Sequence, residues 1–218
     1  MLRTFIASLF FLIIILTKVT SAQETNSIQI NGGIISPMHS SNGYTGLIQF
    51  NYSLTPEFSF YLYSGYSLWD QHKVVYLENY SSVQKQTIFN SYKADDHVLI
   101  PVYFGSRINL HTNKLFTSYL TAELGYSYIR YSSYQNLRSV NPATGEVLKY
   151  YVDQSTRKEN REDLFGLGIG AGISHSLTEN LNLVLLFKLN SYINSNYSGI
   201  FSSRGTYTMF LAGFNFSI

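Results

Sequence analysis

Residues 163–176 read DLFGLGIGAGISHS, and the stretch separates into two sets when every second residue is grouped. Phe165, Leu167, Ile169, Ala171 and Ile173 share one face, and Gly166, Gly168, Gly170 and Gly172 share the other. A period of two is that of a β-strand, whose successive side chains point to opposite sides of the sheet. Four glycines in a row facing water would gain nothing. Facing a narrow interior, they make room for bulky neighbours such as Tyr61, Tyr63 and Tyr103. The apolar face is therefore expected on the outside of a closed sheet.

The same period recurs in 26–36, 43–54, 58–69, 97–110, 116–131, 163–176, 180–193 and 206–218. Each segment has the roughly ten residues that a tilted strand needs to cross a bilayer. The connections alternate in size: Thr55 to Glu57, His111 to Leu115 and Leu177 to Asn180 are tight, whereas 70–96 and 132–162 are long. All tight turns then fall at the end that holds the termini, and the longer loops fall at the other. The predicted fold is all-β: a transmembrane antiparallel up-and-down β-barrel of about eight strands, with 206–218 closing it against 26–36.

Charge follows the same division. Well inside the proposed strands only Arg107, Glu123 and Lys188 are charged, and each lies opposite the large apolar residues of its strand. A soluble lipocalin-like barrel would present Lys and Glu on its polar face, but here that face is mostly Gly, Asn, Ser, Thr and Tyr. An eight-stranded interior is just wide enough for side chains, so the three charges are expected to form a polar cluster within the lumen, paired with one another and with Asn and Tyr. A turn centred near Leu115 sets Arg107 across from Glu123, and a register shift would separate them.

The first residues, MLRTFIASLFFLIIILTKVTSAQET, combine Arg3, an apolar run from Phe5 to Leu16 and the small residues Thr20, Ser21 and Ala22. That pattern predicts a signal peptide over 1–22 and a barrel domain over 23–218. The run is shorter than the roughly 20 residues of a spanning helix. The chain has 15 Lys and Arg and 13 Asp and Glu, and Arg3 and Lys18 leave with the leader, so the mature chain is near neutral. Nothing in that balance suggests nucleic acid. There is no cysteine, so no disulfide can contribute to stability.

The chain ends in TMFLAGFNFSI, 208–218, where Gly213 is followed three and five places later by Phe216 and Ile218. This resembles the carboxyl-terminal assembly signal of bacterial outer-membrane proteins, although Leu211 stands where a polar residue is usual and the last residue is not aromatic. More broadly, 26–218 resembles the small OmpA/OmpX-like barrel family, and IPVYFGSRINL (100–110) with FTSYLTAELGYSYIR (116–130) is similar to a hairpin frequent there. The resemblance implies an outer-membrane protein, monomeric, with outer-membrane lipid, lipopolysaccharide and the barrel-assembly machinery as partners, and an extracellular protein ligand as a further one.

Barrels of this size include enzymes. His175 and Ser176 with Glu179 offer the residue types of an acyl hydrolase, but at the tight-turn end. His97 with Asp95 and Asp96 lies at the opposite rim, better placed for an outer-leaflet lipid-modifying or proteolytic enzyme, yet without an identifiable serine. His39 and His72 are expected in loops and His111 in a turn, and no spacing makes a metal site. GIGAGIS, 168–174, lacks the following helix of a nucleotide loop. Neither catalytic residues nor a cofactor are expected. The long segments are the expected site of function: SVNPATGEVLKYYV (139–152) can place a turn at Pro142–Gly145 between two strand-like arms, giving paired ribbons with edges that suit a partner's strand. The competing expectations are a barrel enzyme and a soluble secreted β-protein.

Overall fold

In the computed structural model, residues 26–38, 40–70, 75–81, 86–112, 115–194 and 205–218 are described. Residues 1–22, read from the sequence as a signal peptide, therefore lie outside the described residues, as do His39 and His72. The strands are β1 (Ser27–Pro37), β2 (Gly43–Ser53), β3 (Phe58–Trp69), β4 (Val75–Ser81), β5 (Gln86–Thr112), β6 (Phe116–Val140), β7 (Val147–Ser176), β8 (Leu181–Tyr192) and β9 (Thr206–Ser217). Eight form a ring in the order β3-β2-β1-β9-β8-β7-β6-β5, and β5 pairs back onto β3 to close it. Every neighbouring pair is antiparallel. Closure removes the free edges that would otherwise leave backbone groups without partners in lipid. The last strand is the seam, with Ser27 opposite Ser217 and Ile34 opposite Phe210.

Burial alternates as the glycine row predicts. Phe165, Leu167, Ile169 and Ile173 are exposed, Ile169 by 58%, while Gly166 and Gly168 are buried. Ile30, Ile48, Phe104, Leu120, Leu124, Leu185, Phe210 and Phe214 continue the apolar belt around the outside. A continuous outer belt of this kind is the reverse of a soluble fold and fits hydrocarbon.

Three strands run much further than the bilayer requires. β5, β6 and β7 begin or end 9 to 16 residues beyond the segments read from alternation, and β4 adds to the outer part of β5. Beyond the ring, β4-β5-β6-β7 form a projecting sheet, because Tyr92–Asp95 of β5 pair with Ser132–Gln135 of β6 while Gln86–Tyr92 of β5 pair with Val75–Ser81 of β4. The alternation ended at the membrane because ribbon strands meet water on both faces and have no reason to segregate apolar residues. At the base of the ribbon, Asp96 adopts a left-handed backbone, φ 55°, at a register shift between Asp95 and Val98. At its tip, residues 142–144 form the expected turn, with the Gly145 N–H donating to the Asn141 carbonyl at 2.8 Å.

Candidate functional site

Interior side chains form layers from the tight-turn end upward. Nearest the termini is an amide layer. Gln49 donates to Asn51 (2.6 Å), and Asn51 donates to Ser27 (3.1 Å) and Asn215 (3.2 Å). In the wall beside it, Arg107 lies with its guanidinium carbon 3.7 Å from the centre of the Tyr119 ring, and its Nε donates to Asn109 at 2.9 Å.

Above these, Glu123 is the hub. Each carboxylate oxygen accepts two hydrogen bonds: Oε2 from the Tyr61 hydroxyl (2.6 Å) and Lys188 Nζ (2.6 Å), and Oε1 from the Tyr63 hydroxyl (2.7 Å) and Asn190 Nδ2 (2.6 Å). Lys188 is fully buried, and its ammonium also lies 3.8 Å from the centre of the Tyr63 ring. A buried carboxylate is tolerable only when its lone pairs are all used, and here four donors use them.

Glu123 and Lys188 therefore meet, whereas Arg107 belongs to another layer. The register explains the separation: Arg107 pairs with Thr121, Glu123 pairs with Gly105, and a bulge between Asn109 and His111 shifts the strands relative to a turn centred on Leu115. A bulge is a local backbone choice that residue alternation does not display. Tyr61, Tyr63 and Asn190 complete the hub; the sequence marked the two tyrosines as bulky interior neighbours, and Asn190 only by its inward parity.

The glycines make this packing possible. A Cβ on Gly168 would stand 2.7 Å from Glu123 Cγ and against the Asn190 amide, and one on Gly172 would stand 2.5 Å from the Tyr119 hydroxyl. The interior row thus seats Glu123 and Tyr119, while Tyr61 is seated over Gly105.

At the ribbon end the lumen is covered by rings. His97 stacks between Trp69 (4.9 Å, 11°) and Tyr131 (5.3 Å, 13°), and Tyr192 and Tyr207 pack 5.5 Å apart. Near His97, the Asp96 N–H donates to Asp70 at 2.9 Å and Arg157 bonds Asp96 at 3.1 Å. At the opposite end His175 stacks on Phe116 while the Ser176 hydroxyl is given to Asn182, so His175, Ser176 and Glu179 form no relay. Among the described residues no three His, Asp or Glu side chains converge as metal ligands. GIGAGIS is plain strand within β7, and His111 is exposed. Gly213 faces the interior, Phe216 faces outward, and the Ile218 N–H donates to the Asn26 carbonyl at 2.8 Å.

The projecting sheet is the other notable surface. Its β7 strand is paired to β8 only from Gly166 onward; just before it, Ile193 and Asn194 bond the backbone of Phe165 and Asp163, and among the described residues the stretch above Asp163 has no strand partner on that side. Its outer face is mixed in charge: Arg161 bonds Glu159 at 2.6 Å and holds that carboxyl below the usual carboxylate range. Asp163 accepts from the Tyr126 hydroxyl.

A closed eight-stranded ring, an apolar outer belt and a filled polar lumen define a transmembrane β-barrel of the small outer-membrane type. No family model and no curated protein matches the chain. Solved structures do match in fold. A major outer membrane protein of Thermus thermophilus aligns with a TM-score of 0.54 and 11% identity, covering 88% of this chain and 99% of that one. Neisserial surface protein A aligns at 0.52 and 13%, covering 89% and 97%. The outer membrane protease OmpT of Escherichia coli aligns at 0.51 and 9%, covering 91% and 99%. At these identities the likeness is one of fold: the chain is built as outer-membrane β-barrels are.

Proposed function

We propose that the protein is a monomeric, non-enzymatic barrel of the bacterial outer membrane, freed of residues 1–22 on export, that acts at the cell surface through the sheet formed by β4 to β7. The observation that carries this is the projecting sheet itself. Strands β6 and β7 continue through Val140 and from Val147, far past the length needed to cross lipid, and the β7 edge above Asp163 has no strand partner among the described residues. An open edge of that kind presents unpaired backbone donors and acceptors to an extended segment of a protein partner. The filled lumen supports the same view, because the Glu123 hub and the Trp69–His97–Tyr131 stack leave the interior to structure rather than transport. In this orientation the tight turns face the periplasm and the ribbons face outward, and Gly213, Phe216 and Ile218 present the chain end to the assembly machinery.

The protease among the fold neighbours keeps an enzymatic reading in view, and His97 beside Asp70, Asp95 and Asp96 is where it would reside. An imidazole stacked on both faces is held as part of a lid, which favours the structural role. Replacing 134–157 by a short Gly-Ser turn tests the proposal. The shortened barrel is expected to insert into vesicles with the same heat-dependent gel shift, because loop length changes closure entropy only slowly, and to lose binding to host-matrix or complement proteins that the full chain retains. Unchanged binding would move the site away from the ribbon, and failed insertion would give the ribbon an assembly role instead.

A further inference from the structure

Between ring and ribbon the sheet is interrupted on two strands at one level. From Asp95 to Val98, β5 carries two residues, Asp96 and His97, where β6 has Tyr131 alone. From Asp153 to Lys158, β7 carries Gln154, Ser155, Thr156 and Arg157 where β6 has only Tyr134. On the far side of β5, the ladder with β3 ends at Trp69–His97 and the ladder with β4 begins at Val75–Tyr92. Of β5, β6 and β7, β6 alone passes this level without an inserted residue. Bulges bend a strand and interrupt its ladder, and hinges form at the few residues that absorb such a change of direction. The four-stranded sheet therefore stands on a narrow joint.

The insertion in β7 is folded. The Ser155 N–H and hydroxyl donate to the Asp153 carboxylate at 3.0 and 2.6 Å, and the Gln135 N–H donates to the Thr156 hydroxyl at 2.9 Å. This turn delivers Arg157 across β6. Its Nε and Nη2 donate to Ser132 Oγ at 3.2 and 3.1 Å, and Nη2 also donates to the Asp96 carboxylate at 3.1 Å. Asp96 in turn gives its N–H to the carboxylate of Asp70, the residue after β3, at 2.9 Å. One arginine of the ribbon is thus tied through Asp96 to the rim of the ring. The Arg157 and Asp96 side chains are 60% and 59% exposed, so dissolved ions reach the pair and screen it.

We infer that the projecting sheet is an arm hinged at Asp96 and at 154–157, and that the Arg157–Asp96 pair is a salt-sensitive latch holding it at one angle to the barrel. Low ionic strength keeps the arm fixed. High ionic strength, or loss of either charge, frees it to sample a range of angles. That angle sets how the β7 edge above Asp163 is presented to a partner, so the inference rests on the surface role proposed above.

The test places spin labels at Asn42→Cys, exposed on the ring between β1 and β2, and at Thr144→Cys in the ribbon's tip, in a chain with no cysteine of its own. Pulsed electron resonance reads the distribution of distances between them in nanodiscs of zwitterionic lipid. Salt is set at about 0.01 M and about 1 M, where the Debye length is about 30 and about 3 Å. The wild-type arm is expected to give a narrow distribution at low salt and a broader one at high salt. Arg157→Gln should be broad at both. Asp96→Asn should match it, and serves alone if Arg157→Gln loses the heat-dependent gel shift, because asparagine tolerates the left-handed backbone at this position. Variants as narrow as wild type at low salt overturn the latch, as does a wild-type distribution that salt does not move. A narrow distribution in every sample overturns the hinge as well. No partner is present in this measurement, so its outcome is separate from the binding lost or kept when 134–157 is replaced, which judges the surface role.

Discussion

Lys188 is where the interior is most sensitive to a single change. Its ammonium is completely buried and supplies one of four donors to Glu123. Lys188→Met keeps the length of the stem but leaves a carboxylate with three neutral donors in a closed lumen. Removing one partner of a buried pair costs about 3–5 kcal/mol, because the other charge is left uncompensated. Lys188→Met combined with Glu123→Gln removes both charges, and it should recover more than half of that loss. Urea unfolding of the vesicle-inserted barrel measures both, and equal losses for single and double variants would show that the pair is not what stabilises the layer. That these residues face inward was legible from parity alone. Which of them meet was not, because a contact across the lumen depends on the register of strands far apart in sequence.

Along a strand, the two faces obey opposite rules about size. Gly168 of β7 faces the lumen, where an added Cβ meets Glu123 at 2.7 Å, whereas Gly46 of β2 faces outward with nothing within 4 Å. Gly168→Ala is therefore expected to cost about 1–3 kcal/mol through overpacking, and Gly46→Ala to cost nothing measurable. Matched unfolding curves in lipid check the contrast, and a loss at Gly46 equal to that at Gly168 would mean the faces are assigned wrongly. The alternating period revealed this division in β7 without any structure. It did not reveal how far β5, β6 and β7 run past the membrane, nor β4, since ribbon residues such as Arg157, Lys158 and Asn160 carry no apolar face to count. The bulge at Asp95–Val98 was equally hidden, being a change of backbone conformation at Asp96 rather than of side-chain type.

At the scale of the whole molecule, the interior and the exterior have exchanged the roles they take in a water-soluble protein. Amides, tyrosines and a salt bridge fill the centre, and isoleucine, leucine and phenylalanine cover the surface. The ring needs no disulfide, because each strand is bonded on both sides and closure at β1–β9 and β3–β5 leaves no membrane-spanning edge. The absence of cysteine from the chain also makes the central claim easy to test, since single cysteines can be introduced without background. Spin labels placed one at a time at Phe165, Leu167, Ile169 and Ile173 in vesicle-reconstituted protein report their collisions with oxygen, which concentrates in hydrocarbon, and with a water-soluble nickel chelate. High oxygen and low nickel accessibility at Leu167, Ile169 and Ile173, with nickel rising only toward Phe165 at the ribbon end, is the predicted result. Nickel accessibility at Ile169 equal to that of a label in open solvent would place this face in water and contradict the barrel's inside-out construction.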